Sequence, residues 1–144
     1  MSFGIYDASA PVFVKALTNI PSFDALNASL ENAARLRAAG VTVVLASFDT
    51  YRAGTLRQEA GNAIAYGMHP AHALEAVTLA PAQVWGIAAR TGSLEVGKDA
   101  DVVIWSGDPF ELSSHAEQVF IRGVEMPQKS RQTELLERYK TLGR

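Results

Sequence analysis

The chain has 144 residues, of which 48% are hydrophobic and 19% are charged, and its formal net charge is −2 at pH 7. This composition predicts one globular domain and excludes a disordered chain, because apolar residues are plentiful and the net charge is small. Thirteen basic against fifteen acidic residues leave no excess of positive charge, which nucleic-acid binding usually needs. Cysteine is absent, and this excludes disulfides, thiolate nucleophiles and cysteine-ligated metals.

Two further limits follow from the length and the apolar pattern. No apolar run approaches the roughly 18 residues of a membrane span, and residues 1–7 do not resemble a secretory signal. We therefore expect a cytoplasmic protein that binds neither membranes nor nucleic acids. A complete (β/α)8 barrel takes about 250 residues, so this chain is too short to form one alone.

The first third of the chain has the pattern of an α/β protein. An apolar run at residues 10–17 predicts a strand, and Pro11 argues against a central place for it in a sheet. Apolar residues recur at helical spacing over residues 24–39, and Gly40 is placed to end that helix. The run at residues 41–46 then predicts a strand buried on both faces, which is typical of parallel sheets.

The rest of the chain predicts short helices and then a small sheet. A capping box at residues 55–58 starts one helix that ends at Gly67, Pro70 begins a second, and Pro81 begins a third. Strands are predicted at residues 102–105 and 118–122, with a turn at Gly123. A final helix is predicted over residues 128–142, with Leu135, Leu136, Tyr139 and Leu142 on one face.

Asp49 is the first candidate for chemistry. It follows the carboxyl end of the predicted strand 41–46, where catalytic groups collect in barrels and open parallel sheets. A carboxylate there can bind a metal or accept a proton from metal-bound water. The alternative is that Asp49 caps its own loop in an Asx turn, and position alone favours this alternative.

The other polar residues have simpler interpretations. His69 and His72 are three apart and could share a helix face, but His69 precedes Pro70, where capping or solvent exposure is the usual role. His115 lies in a polar loop, and a surface role is expected for it. Arg57 and Glu59 fit an exposed first helical turn.

Four segments in series resemble the carboxyl-terminal portion of the amidohydrolase superfamily, with imidazolonepropionase-like members the most similar. The segment at residues 73–82 resembles the family pattern A-L-x-A-x-T-x-x-P-A, and that at residues 92–103 is the most specific match. The other two segments are residues 36–43, and residues 56–61 together with residues 66–68. The resemblance covers about 70% of the chain, over residues 24–126.

The resemblance implies an α/β fold: the C-terminal part of a (β/α)8 barrel, then strands of a small composite β-sandwich, then a C-terminal helix. The corresponding divisions are residues 1–88 for the last β/α units with extra helices, 89–127 for the sandwich and 128–144 for the helix. The implied chemistry is hydrolysis of a non-peptide C–N bond in a small-molecule substrate by a metal-activated water.

The resemblance also implies roles for three residues. Asp49 corresponds to the aspartate of the family's final strand, which binds the metal and shuttles the proton. Tyr51 and Arg52 follow it and are expected to contact substrate. The expected cofactor is a divalent metal ion, and zinc is the metal expected. The family places this aspartate one residue earlier, whereas Phe48 intervenes here, and a β-bulge would absorb that extra residue.

The family's other metal ligands have no counterparts in this sequence, which contains no H-x-H. A single carboxylate cannot hold a catalytic divalent ion, which needs three or more protein ligands. We therefore expect the chain to be inactive alone. Three alternatives stay open: a carboxyl-terminal piece of an amidohydrolase prone to self-association, a non-catalytic assembly domain, or half of an enzyme completed by a second chain.

Overall fold

The computed structural model describes residues 10–48, 50–127 and 129–140. The chain begins with a β-α-β unit, in which strand β1 (Val12–Val14) leads through helix α1 (Asn32–Ala38) to strand β2 (Val43–Leu45). The two strands are parallel, and Phe13 lies opposite Val44. The predicted strands and the helix-glycine-strand order are confirmed. Gly40 adopts a φ of +83°, the left-handed conformation expected after a helix.

The helix predicted over residues 24–39 is wrong in its first half, because α1 begins only at Asn32. Ser22 and Ala25 instead form an isolated antiparallel bridge. Leu26, the first residue of the predicted apolar face, is 77% exposed. Since short helices depend on tertiary packing for stability, periodicity without a surface to pack against does not produce a helix.

A 3₁₀ helix and three α-helices follow β2. A 3₁₀ helix (Thr50–Thr55) runs into α2 (Leu56–Ala65), followed by α3 (Pro70–Val77) and α4 (Leu79–Val84). The predicted capping box is wrong: Thr55 makes no side-chain cap hydrogen bond, because the 3₁₀ helix leaves its backbone outside the extended conformation of a cap. The core joins the helices to one face of the strands and contains Val14, Ala16, Ala33, Val43, Leu45, Ala60, Ala63, Met68, Ala73 and Ala76.

A separate antiparallel sheet follows, in the order β3 (Val102–Trp105), β4 (Ala116–Ile121), β5 (Val124–Glu125). The predicted turn at Gly123 is confirmed. Arg122 and Gly123 both have positive φ, 51° and 77°, as a two-residue type I′ hairpin requires. One face of the sheet remains open, since the exposed fractions there are 40% at Val103, 50% at Ile121 and 61% at Val124.

The last element is helix α5 (Arg131–Lys140), which has no buried residue. Its predicted apolar face includes Leu135, Leu136 and Tyr139, all exposed, while Leu142 lies outside the described residues. Among the helices that the structure describes, none is long and apolar enough to cross a membrane.

Candidate functional site

The carboxyl ends of β1 and β2 form the candidate site. The main chain of Ala46, just past β2, donates a hydrogen bond of 3.0 Å to the carbonyl oxygen of Val14 in β1. The two strands therefore end side by side. In parallel sheets this edge is where side chains from successive loops converge on a ligand.

Asp49 follows this edge in the sequence but lies outside the described residues. The expected bulge before it is absent from the described β1–β2 ladder, whose register is regular through Val14 and Leu45. The chain instead enters a left-handed conformation at Phe48, with a φ of +52° and a side chain that is 66% exposed. Because this conformation is uncommon outside glycine, Phe48 marks a specific turn directly before Asp49.

The two residues predicted to contact substrate belong to the 3₁₀ helix Thr50–Thr55. The Tyr51 side chain is 99% exposed, so the structure places it on the surface of this chain. The Arg52 side chain lies outside the described residues. Roles in substrate binding stay predictions for both residues.

Glu59 is a buried residue of this region that sequence reasoning missed. Its side chain is 0% exposed, and Oε2 accepts a hydrogen bond from the Leu17 main-chain N–H at 2.6 Å. One turn further along α2, Asn62 donates to the carbonyl oxygen of Ala16 at 2.9 Å. Two polar side chains of α2 thus fix the segment that follows β1. The prediction of an exposed Glu59 is wrong.

A signal for this burial exists in the sequence. Glu59 lies three residues after Leu56 and four before Ala63, which places it on the apolar stripe of α2. Its second oxygen, Oε1, is buried and has no hydrogen-bond partner in the described part of the chain. Burying a carboxyl group with one unpaired oxygen costs free energy. The hydrogen bond from Leu17 to the other oxygen offsets part of that cost, so its loss is expected to lower stability.

Glu59→Leu is expected to lower the free energy of unfolding by about 2 kcal/mol, because it leaves the buried Leu17 N–H without its acceptor. Glu59→Gln is the matched control, since its amide oxygen can still accept from Leu17, and less than half of that loss is expected. Urea denaturation followed by circular dichroism measures both. A leucine variant as stable as the wild type would show that the Leu17 bond contributes nothing.

Arg57 joins α2 to the small sheet. Its Nη2 atom donates to the carbonyl oxygens of Glu111 at 2.8 Å and Ser114 at 3.0 Å. The guanidinium carbon lies 4.5 Å from the ring centroid of Trp105, within cation–π distance. The prediction of an exposed Arg57 is therefore wrong, and its role is to hold the small sheet against the helices.

The histidines occupy the structural positions expected of them. His69 caps α3, with Nδ1 accepting from the Ala71 N–H at 3.2 Å. In a neutral ring this bond leaves the proton on Nε2, so His69 has no second free lone pair for a metal shared with His72. His115 is exposed and is held by Ser106, whose hydroxyl accepts from the His115 N–H at 3.0 Å.

A polar cluster of Ser93, Glu95 and Lys98 lies in the turns before β3. The hydrogen bond from the Ser93 hydroxyl, then that from the Lys98 ammonium, lowers the pKa of the exposed Glu95 carboxyl. The Lys98 side chain is 12% exposed, so its stem is packed while its charge is paired. This arrangement stabilises the turn.

The described residues do not form a metal site. Within residues 10–48, 50–127 and 129–140, no group of three or more histidines, cysteines or carboxylates is placed to hold an ion. Asp49 is one possible ligand outside these ranges. A site that includes it needs further ligands from elsewhere.

Comparison with known proteins identifies related chains. The profile of the Amidohydrolase family matches residues 17–129. The chain is 41% identical over 91 residues to the imidazolonepropionase of Symbiobacterium thermophilum and 45% identical over 62 residues to that of Erwinia tasmaniensis. These matches span 59% and 43% of this chain. An amidohydrolase crystal structure from Thermotoga maritima superposes on 83% of the chain with a TM-score of 0.74 and 35% identity.

These relatives are all much longer than the matched region. The chain spans 21% of the Symbiobacterium protein, 14% of the Erwinia protein and 32% of the Thermotoga chain. The mixed α/β fold described above therefore corresponds to one part of each larger molecule.

Proposed function

Because this chain belongs to the amidohydrolase family, we propose that it supplies the last part of a hydrolase that cleaves a non-peptide C–N bond, in an amide or a cyclic amide. The observation that carries this proposal is the parallel β-α-β unit whose carboxyl edge directly precedes Asp49 in the sequence. In such units, residues just after the strands are the ones that reach a ligand.

We propose the following layout for the chain. Residues 1–88 contribute the final β/α units of the barrel with extra helices, residues 89–127 contribute strands to a small β-sandwich, and residues 128–144 form a terminal helix. The parallel β1–β2 pair and the antiparallel β3-β4-β5 sheet support this division. Arg57 would fix the two parts to each other through Glu111, Ser114 and Trp105.

Two open surfaces support the proposal that more polypeptide completes the enzyme. Phe13 and Trp85 are in ring contact on the face of β1 away from the core, and both are exposed, 37% and 70%. The second surface is the aliphatic face of the small sheet around Val103 and Ile121. Parallel sheets are normally covered on both faces, and a pair of strands alone is marginal.

In the completed enzyme Asp49 would be one ligand of a divalent ion, zinc in our proposal, and the acceptor of a proton from the attacking water. The bound ion would supply the activated water. Since the described residues bring no three ligands together, the remaining ligands would come from outside the described part of the chain, and we assign no step to a metal on this chain alone. Tyr51 and Arg52 would contact the substrate from the 3₁₀ helix.

A chimera tests this proposal directly. In the Symbiobacterium imidazolonepropionase, the segment equivalent to residues 10–127 would be replaced by residues 10–127 of this chain. We expect the chimera to keep imidazolonepropionase activity within about tenfold of the parent, a change of about 1.4 kcal/mol in the barrier. The measurement is kcat/KM for the parent's own reaction, with bound metal determined in the same samples.

The outcome that contradicts the proposal is a folded chimera that binds metal as the parent does and has no activity. Circular dichroism and thermal unfolding separate this result from misfolding. The 144-residue chain alone, assayed in the same way with added zinc, is expected to show no hydrolysis.

A further inference from the structure

Two side chains of α2 hold both polar groups of a single peptide unit. The carbonyl oxygen of Ala16 accepts from the Asn62 side chain at 2.9 Å, and the N–H of Leu17 donates to Glu59 Oε2 at 2.6 Å. The carbonyl of one residue and the N–H of the next belong to the same planar unit, in which they point in opposite directions. Glu59 and Asn62 therefore fix the orientation of this plane.

This peptide unit lies just beyond the end of the parallel ladder. Among the described residues, the bond from the Ala46 N–H to the Val14 carbonyl oxygen is the last that joins the two strands. Main-chain groups that leave water need partners, and beyond this point α2 supplies them in place of a strand. The path of the chain as it leaves β1 is therefore set by side chains of α2.

The support comes from within the protein. Glu59 is 0% exposed and Asn62 is half-buried, so water competes little for the two hydrogen bonds. A hydrogen bond in such surroundings is stronger than one at the surface and restrains its partners more. The segment restrained here is residues 15–19, which we call the β1 loop.

Lys15 is the first residue of the β1 loop, and it faces away from the helices. Val12, Val14 and Ala16 all pack in the helical core, and successive residues of an extended chain point to opposite faces. Lys15 therefore lies on the other face, at the carboxyl end of β1. In a barrel whose helices pack outside the strands, that face is the interior, and that end carries the active site.

The Lys15 side chain is half-buried, and no hydrogen bond or ion pair joins it to another residue in the described part of the chain. An ammonium group that is partly removed from water gains from a partner. Since it can only donate hydrogen bonds, the partner that fits it is an acceptor, such as a carbonyl or carboxylate oxygen of a ligand.

We infer that Glu59 and Asn62 are positioning residues for substrate binding: by holding one peptide unit of the β1 loop, they place Lys15 and its neighbours where they contact the substrate. This inference rests on the proposed function, since that function puts the substrate at the carboxyl ends of the strands. The two strands then have separate roles. The segment after β2 carries Asp49 for the chemical step, and the β1 loop binds the substrate.

Variants of the chimera that carries residues 10–127 test this role. Glu59→Leu removes the acceptor of the Leu17 N–H, and Asn62→Leu, with a side chain of similar size, removes the donor to Ala16. We expect each to raise KM at least about tenfold, because a loop displaced by a fraction of an ångström loses its contacts with the substrate. We expect kcat and bound metal to change less than about threefold, as the loss of substrate binding alone predicts.

Two controls separate positioning from stability. Glu59→Gln keeps an oxygen that accepts from Leu17, so its KM is expected to stay within about threefold of the unmodified chimera. Gly92→Ala places a Cβ atom 2.6 Å from that of Ala82 in α4, which destabilises the fold through residues outside the β1 loop. Its KM and kcat are expected to be unchanged at a temperature where unfolding curves show every variant to be folded.

Two results would overturn the inference. The first is an unchanged KM in whichever of Glu59→Leu and Asn62→Leu is folded, as in Gly92→Ala. The second is a loss of kcat or of bound metal without a rise in KM, since the β1 loop would then serve the chemical step or the ion. An inactive unmodified chimera contradicts the proposed function instead. In that case the Kd for the parent's product, measured by calorimetry, replaces KM in the same comparison.

Discussion

Gly92→Ala is expected to lower the free energy of unfolding by about 3 kcal/mol, whereas Gly97→Ala is expected to cost about 1 kcal/mol. Both glycines have a φ of +93°, so alanine meets the same backbone strain at either position. The pair therefore isolates the effect of the contacts that the new methyl group makes.

Those contacts differ completely. A Cβ atom at Gly92 would lie 2.6 Å from the Cβ of Ala82 and 3.1 Å from the carbonyl oxygen of Thr78, at the start of α4. At Gly97 a Cβ atom has nothing within 4 Å. Since Ala82 is 4% exposed and belongs to a helix, neither neighbour can move aside without displacing α4.

Chemical denaturation of the two variants measures the difference directly, provided that the slope with denaturant is unchanged. Equal losses in the two variants would mean that the segment around Gly92 does not pack against α4 as described. If Gly92→Ala is destabilised and its denaturant slope also changes, the segment around Gly92 has detached from α4 in the folded state.

Local sequence patterns correctly predicted the features that depend only on residues close in the sequence. The β-branched run before Ala46 is buried on β2, and Gly40 ends the helix before it. His69 caps α3 because the bond from Ala71 depends only on the next two residues. The short hairpin at Gly123 is similarly local. These features depend on propensity and turn chemistry, which a single sequence contains.

Other features depend on contacts between distant parts of the chain. Glu59 is buried because the Leu17 N–H, 42 residues earlier, needs an acceptor. Gly61 lies inside α2, where the carbonyl oxygen of Phe110 would be 2.8 Å from a Cβ atom. Arg57 of α2 stacks on Trp105 of the small sheet. No local pattern specifies these partners.

In the candidate site, too, one feature was predictable from the sequence and another was not. The strand end before Asp49 follows from the sequence, since a buried run ends at Ala46 and a polar loop begins. The left-handed turn at Phe48 could not be predicted, because phenylalanine has no preference for a φ of +52°. The bulge was predicted at the strand end, and the described ladder, whose register is unbroken through Leu45, contains none.

Asp49→Asn, introduced into the chimera that carries residues 10–127, is expected to lower kcat/KM by at least about 100-fold, the usual effect of losing a general base. Asparagine keeps the size of the side chain, but it cannot accept a proton from water and is a weaker metal ligand. We expect kcat to fall with little change in KM, since the proposed roles of Asp49, holding the metal and accepting a proton, serve the chemical step and not substrate binding.

Asp24→Asn in the same chimera is the matched control, because Asp24 is exposed and undergoes the same change from carboxylate to amide. It is expected to leave kcat/KM and bound metal unchanged, whereas Asp49→Asn is expected to lower both. Full activity in the Asp49→Asn chimera would exclude the proposed role and favour the Asx-turn interpretation. A loss of thermal stability without a specific loss of kcat would favour the same interpretation, because a turn-capping residue stabilises its loop and takes no part in the reaction.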